Sequence, residues 1–550
     1  MRGQVLAANV VVFIASFCTL VIELVAGRIL APYVGVSLYT WTSIIGVVLA
    51  GISVGAYLGG IIADRYPSHK TLGWLLFLSG VSAFTIPPLM NLLGEGELLR
   101  QYIAEKLDIT IPLMARVLIL TVAVFFVPST ILGMISPVVV KLTVQNLETT
   151  GNVVGKIYAF STLGSILGTF ATGFFLIEWV GTRTLIFIVG AVLVACAPLF
   201  GTMGRGRPHP AALVACLIFL PSSTGLLYAK SDAFLRAVDL FSHALFVKES
   251  NYYTIRVSES EDFHRDTNQP IELRKLVLDH LVHSYTSMDD PTYLHYEYLR
   301  IYEEIIAWRQ WLQKKTDADY TFDILFIGGG GYTLPRYIDH VYPRARVDVV
   351  EIDPWVSRVA EKYLDIEQRR IRTYNEDGRW YVMNCKDRKY DFIIMDAFND
   401  LAIPYHLTTR EYNAHLKRLL KPDGLVMALV IDNIGKGRFL PSYMTTLWSV
   451  FDHLNLIVME DWELEQIGHT TCIVVAGERP FDSASFRRFL KERQDRGKEA
   501  VSRVVDERKM IFYLNSREPK PILLTDDYVP VDNLIAPLFE ERFGYRRQHQ

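Results

Sequence analysis

Four consecutive glycines, Gly328 to Gly331, follow the short apolar run Ile324–Ile327. Glycine lets the backbone take positive φ and lets a ligand come close to the main chain. Glu351 stands roughly twenty residues further on, at the end of a second apolar run, Val347–Ile352. An acidic side chain at that strand tip is placed to bond ribose hydroxyls. Two more carboxylates follow later strands: Asp377 after Ile371–Tyr374, and Asp396 at the close of the apolar run DFIIMD. Read singly, each is an ordinary turn aspartate or a helix N-cap. Read together at successive strand tips, Glu351, Asp377 and Asp396 form a ligand-facing row, beside the backbone of Gly328, Gly329 and Gly330. The spacing suits a nucleoside, with Asp377 near the base. Asp396, behind a continuous apolar run, is expected to be partly desolvated and so able to orient or deprotonate an amine nucleophile. Tyr405 and His406, in the loop IPYH, are placed toward the substrate. His280, His283 and His295 cluster without metal-ligand spacing, so no metal is expected.

Apolar runs of four to eight residues alternate with helical segments around these residues. Strands are predicted at Ile324–Ile327, Val347–Ile352, Ile371–Tyr374, Phe392–Met395 and Leu425–Ile431. Helices are predicted at Pro354–Leu364, Gly378–Cys385 and Thr408–Leu420. That alternation implies right-handed βαβ crossovers and a crevice at the carboxyl ends of the strands. Upstream, Glu249–Val257 and Ile271–Asp279 read as strands of a small antiparallel cap. Leu294–Gln313 reads as a helix, with Tyr296, Tyr298 and Tyr302 taken as core aromatics. A charged helix is expected over Phe486–Glu507, and an acidic loop, LTDDYVPVDNL, follows it. Asp526, Asp527 and Asp532 there fit either a flap over the crevice or plain loop chemistry.

The chain has 550 residues, half of them apolar, and a net charge of −3. That length exceeds one ordinary domain. The charge gives no general basic field for nucleic acid. Five scattered cysteines give no disulfide framework or zinc site. The apolar residues concentrate before residue 230. About seven stretches there are long enough to cross a bilayer: Leu6–Ile29, Thr40–Ala63, Thr71–Leu93, Ile111–Val138, Val153–Ile177, Arg183–Phe200 and Ala211–Ala229. Two of them carry stripes of small residues that let helices approach closely in lipid. Glu23 and Arg28 interrupt the first stretch near its end. They read as partners at the interface, or as a site for a polar head group. Arg65, Lys70, Arg205 and Arg207 mark their loops as cytoplasmic. A spanning segment after Arg207 would put the second half of the chain on the far side, whereas an adenosyl cofactor requires the cytoplasm; the cytoplasm is taken here. The expected division is a multi-pass membrane domain over 1–230, a linker helix, β cap and connecting helix over 231–318, and an α/β Rossmann-like methyltransferase-type domain over 319–550.

Taken together, ESNYYTIRV, LVLDHLVHSY, FIGGGGYTLPR, VVEID, NEDGRW, YDFIIMDAFND and IPYHLTTREY resemble the spermidine synthase family. With ELVAGRILAPYVG and GAYLGGIIADR in the first half, the chain is similar to the fused type that joins a transporter-like membrane half to a spermidine synthase-like domain. The resemblance covers nearly the whole chain. It implies a polyamine aminopropyltransferase that moves an aminopropyl group from decarboxylated S-adenosylmethionine to a small-molecule amine. It implies that Glu351 holds the ribose, that Asp377 holds the adenine amino group, and that Gly328 to Gly330 let the nucleoside approach. Asp396 matches the catalytic aspartate. On the substrate side it points to Tyr253, His295, Tyr296, Glu297, Asn399 and Tyr405. Four departures fall there. Gly331 and Asn399 replace aspartates, Tyr253 replaces a glutamine, and His295–Tyr296–Glu297 stands for a Tyr-His/Gln-Glu stretch. Fewer carboxylates weaken the attraction for a polycation. S-adenosylmethionine as donor in another transfer, such as methylation, is the enzymatic alternative; a polyamine transporter or sensor without turnover is the other. The expected partners are the amine and the lipid bilayer, without nucleic acid, and a homodimer is left open.

Overall fold

The computed structural model describes residues 2–34, 38–94, 113–144, 150–201, 244–265, 268–279, 281–366, 370–386, 388–397, 403–459 and 469–536. The chain divides into two compact units, one of 1–240 with 248–251 and one of 241–247 with 252–550.

The first unit holds six helices long and apolar enough to cross a membrane among the described residues: α1 (Val5–Ala31), α2 (Leu38–Arg65), α3 (His69–Met90), α4 (Met114–Thr143), α5 (Thr150–Leu176) and α6 (Thr182–Gly201). The expected seventh, Ala211–Ala229, lies outside the described residues, as do His280 and most of the linker helix. Small residues set the packing. A methyl group added at Gly55 of α2 would sit 2.1 Å from the Thr130 carbonyl oxygen of α4, and one at Gly59 would sit 2.6 Å from Met134 Cα. Gly164 and Gly168 bring α5 equally close to the Phe13 and Phe17 carbonyls of α1. Gly60 and Gly173, from the same stripes, meet nothing within 4 Å. Helix faces this close have no room for a side chain, and dispersion between the packed surfaces holds them together. Gly55→Leu is therefore expected to cost about 3 kcal/mol, and Gly60→Leu almost nothing. Thermal unfolding of the detergent-solubilised protein tests this. Equal behaviour of the two variants contradicts the packing account.

The second unit holds two sheets. A four-stranded sheet runs in the order β1 (Ala244–Glu249), β2 (Thr254–Phe263), β3 (Pro270–Leu278), β4 (Leu281–Ser287). The expected strand Glu249–Val257 is broken in two, because Ser250–Tyr253 turn instead of pairing. Helix α7 (Glu297–Leu312) then leads into the main sheet. Its strands are β5 (Asp323–Ile327), β6 (Arg346–Val350), β7 (Ile371–Tyr374), β8 (Tyr390–Met395), β9 (Leu420–Asn433), β10 (His453–Val458), β11 (His469–Gly477) and β12 (Arg503–Val504). Helices α8 (Thr333–Val341), α9 (Pro354–Tyr363), α10 (Gly378–Asn384), α11 (Arg410–Leu419), α12 (Phe439–Trp448), α13 (Ser483–Asp495) and α14 (Glu507–Asn515) connect them. The charged helix expected over Phe486–Glu507 stops at Asp495 and a new one starts at Glu507 behind an Asp506 cap.

The sheet order is β12-β10-β11-β9-β8-β5-β6-β7. Strands β5 to β9 are parallel, and β11 inserts antiparallel between β9 and β10. This is the Rossmann-like, methyltransferase-type arrangement. Ile324–Ile327 and Phe392–Met395 are buried throughout, as strands covered on both faces must be. The order turns back between β5 and β8, which puts the crevice at their carboxyl ends. The first sheet is fastened to this unit near that crevice. Thr286 bonds Thr333 at 3.1 Å, and Arg336 donates to the Ser287 carbonyl at 2.6 Å while pairing with Asp365 at 2.7 Å.

Candidate active site

Asp396 leaves the end of β8, with its N–H donated to the Ile327 carbonyl at 2.9 Å. The chain then turns at Gly328, whose N–H is given to Val350 at 2.8 Å. Gly328 has φ +100°, and an added Cβ would lie 2.4 Å from the Asp396 carbonyl oxygen. Only glycine fits both the dihedral and the contact. The two strand ends therefore meet backbone to backbone, which brings the glycine loop and Asp396 to one cavity.

That cavity has a volume of about 210 Å³. It is lined by Gly328 to Gly331, Asp396, Tyr296 just before α7, Tyr298 of α7, and His283 and Ser284 of β4. Its apolar lining includes Leu299, Phe326 and Leu429. Burial raises the Asp396 carboxyl from the ordinary 3.8 to about 7, although the Tyr298 hydroxyl donates to it and opposes the rise. A carboxylate poised near neutrality accepts and releases protons under ordinary conditions.

Glu351 follows β6 and is buried. It accepts N–H groups from Gly329 at 2.8 Å, Gly330 at 3.4 Å and Asp353 at 2.9 Å. Burial raises its pKa and these N–H groups oppose that. A carboxylate has four lone-pair sites, so capacity remains for hydroxyls. Asp377 caps α10, accepting Trp380 N–H at 3.0 Å, and its other oxygen lies 3.0 Å from His406 Nε2. Beside it, Arg379 reaches the His406 carbonyl at 2.9 Å and Asp526 at 2.8 Å. This ties the acidic C-terminal loop to the loop after β8.

The structure thus brings Gly328, Gly329, Gly330, Tyr296 and Asp396 to one cavity, with Glu351 bound to its glycine wall. Asp377 holds a neighbouring position at the start of α10. Tyr253, His295, Glu297 and Tyr405 are not among the cavity-lining residues. Tyr253 lies beside His283 in a tilted arrangement, with ring centroids 6.4 Å apart. His295 packs on Tyr285 at 4.3 Å. Glu297 pairs with Arg265 at 2.8 Å, and Tyr405 is largely exposed. Asn399 lies outside the described residues. Sequence reasoning missed Tyr298 as the partner of Asp396, and His283 and Ser284 as wall residues. Tyr298 and Tyr302 stand four apart, on one helix face. That spacing told of a shared face but not that the face abuts a strand tip.

Residues 300–433 match the Spermine/spermidine synthase domain family. A polyamine aminopropyltransferase of Vibrio vulnificus is 43% identical over 108 residues, which are 19% of this chain and 36% of that protein. A probable polyamine aminopropyl transferase of Bifidobacterium longum is 27% identical over 229 residues, 40% of this chain and 50% of the relative. An eEF1A lysine and N-terminal methyltransferase homolog of Drosophila melanogaster is 31% identical over 118 residues, 20% of this chain and 18% of its own length. The chain thus spans half or less of these relatives. The matched synthase domain contains the glycine loop, Glu351, Asp377 and Asp396.

Proposed function

We propose that the protein is a membrane-anchored aminopropyltransferase that moves an aminopropyl group from decarboxylated S-adenosylmethionine to an amine. The supporting observation is the cavity in which the glycine loop faces a carboxylate raised to about 7. Among the described lining residues it holds Asp396 and no lysine or arginine. A sulfonium and an amine are both drawn to such a site, whereas a donor carrying its own carboxylate meets Asp396 without a compensating cation. In this reading Glu351 accepts the ribose hydroxyls and Asp377 the adenine amino group. Asp396 holds the attacking amine in line with the carbon beside sulfur and takes its proton, so that the C–N bond forms as the C–S bond breaks. The membrane domain over 1–230 anchors the synthase domain on the cytoplasmic side, where adenosyl donors are made, and 231–318 supplies the linker and cap.

Methyl transfer from S-adenosylmethionine is the second reading. It is favoured by Gly331, where the resemblance expects an aspartate, and by the methyltransferase relative. Supplying purified protein with each donor and a panel of amines separates the two. Methylthioadenosine from the decarboxylated donor is the expected product. S-adenosylhomocysteine from the ordinary donor, with no methylthioadenosine, overturns the first reading.

A further inference from the structure

The cavity presents one more polar group that the proposed chemistry does not use. His283 lies on β4 and lines the cavity shared by the glycine loop and Asp396. Its Nδ1 is 3.0 Å from the Leu281 carbonyl oxygen. A carbonyl can only accept, so Nδ1 carries the proton. In the neutral ring Nε2 is then a bare acceptor. No hydrogen bond within the described residues occupies Nε2. The neighbouring titratable groups are Tyr253 just before β2, Tyr296 just before α7, Tyr298 in α7, Tyr332 at the start of α8, and Asp396 at the end of β8. Only Asp396 of these changes charge near neutral pH.

We propose that His283 is a substrate-binding residue of this cavity, its Nε2 accepting a hydrogen bond from the amine or ammonium group of a bound reactant. The inference rests on the proposed transfer, in which both reactants are cations. It adds a consequence. Burial lowers the His283 pKa and keeps the ring neutral. When the imidazole does take a proton, Nε2 turns from acceptor to donor and its charge repels a sulfonium or an ammonium. Binding therefore weakens on the acid side through two groups, His283 and Asp396. The amine concerned belongs either to the donor's aminopropyl arm or to the acceptor.

The test uses the full chain with His283→Gln and His283→Ala. Glutamine keeps an acceptor but cannot take a proton, and alanine removes the acceptor. Donor affinity is measured by calorimetry with decarboxylated S-adenosylmethionine between about pH 5.5 and 8.5, bracketing the histidine range, and acceptor KM is measured over the same range. Alanine is expected to weaken one of the two by about tenfold at pH 8. Glutamine is expected to retain affinity there and to flatten the acid limb to the single ionisation of Asp396. An effect on donor affinity assigns the donor amine; an effect on acceptor KM alone assigns the acceptor. If alanine fails to fold, as thermal unfolding would show, the glutamine profile still decides. Profiles of His283→Gln identical to those of the unaltered protein overturn the role of His283. Failure of the unaltered protein to bind any adenosyl sulfonium at pH 8 overturns the proposed function, and this inference with it.

Discussion

Asp396→Asn is expected to lower turnover by about a thousandfold while leaving the adenosyl nucleoside bound. The amide keeps the shape of the carboxyl group and still accepts the Tyr298 hydroxyl, but it cannot take a proton or balance an ammonium. In the unaltered protein the working form is the carboxylate. With the group raised to about 7, activity should climb tenfold per unit as pH rises toward 7 and level off above it. The same shift acts on stability with the opposite sign. Between the ordinary 3.8 and about 7 the folded chain keeps a proton that the unfolded chain has released. Stability therefore falls as pH rises through that window, and the asparagine variant loses this dependence. By-product assays across pH, with calorimetry on both proteins, measure each part. Turnover preserved in Asp396→Asn removes this residue from the chemistry.

The second large effect is expected at Gly328. Alanine there must adopt φ +100° and must displace the Asp396 carbonyl from 2.4 Å. The dihedral alone costs about 1–3 kcal/mol. The contact cannot relax by rotating a side chain, because the opposing atom is backbone. The ends of β5 and β8 must separate, moving Asp396 away from the glycine wall. Gly328→Ala should therefore lose nucleoside affinity by more than about tenfold, equivalent to 1.4 kcal/mol, along with part of its thermal stability. Gly330, with φ +49° and nothing within 4 Å of an added Cβ, is the control and should lose about 1 kcal/mol. Titration of the nucleoside into both variants tests the argument. Equal affinities show that the backbone meeting at Gly328 does not shape the site.

Ile324–Ile327 and Phe392–Met395 were legible because each is a short, fully apolar run closed by a glycine or an acid. Ile371–Tyr374 lies where the pattern put it, and Ile324–Ile327 and Phe392–Met395 are only extended at one end. The cap was harder to read. Residues Leu281–Ser287 of β4 mix His283, Ser284 and Thr286 with apolar positions, so no clean alternation marks the strand. Its wall residues were missed with it. Tyr298 was read as core because helix periodicity reports burial without saying what is buried alongside. Among the acids, Asp396 was identified by the apolar run before it, and the structure gives the physical reason, desolvation at a strand end. Asp377 is a helix cap in the structure, its carboxylate accepting the Trp380 N–H.

One contact bears on any attempt to remodel this protein. A methyl group at Gly331 would lie 1.8 Å from Ser284 Oγ and 2.5 Å from its Cβ. Loop and cap strand are interlocked there like adjacent teeth, each filling the gap the other leaves. The aspartate that the resemblance expects at 331 cannot be grafted there by itself. It needs a companion change that empties position 284, and the two substitutions form one inseparable design step.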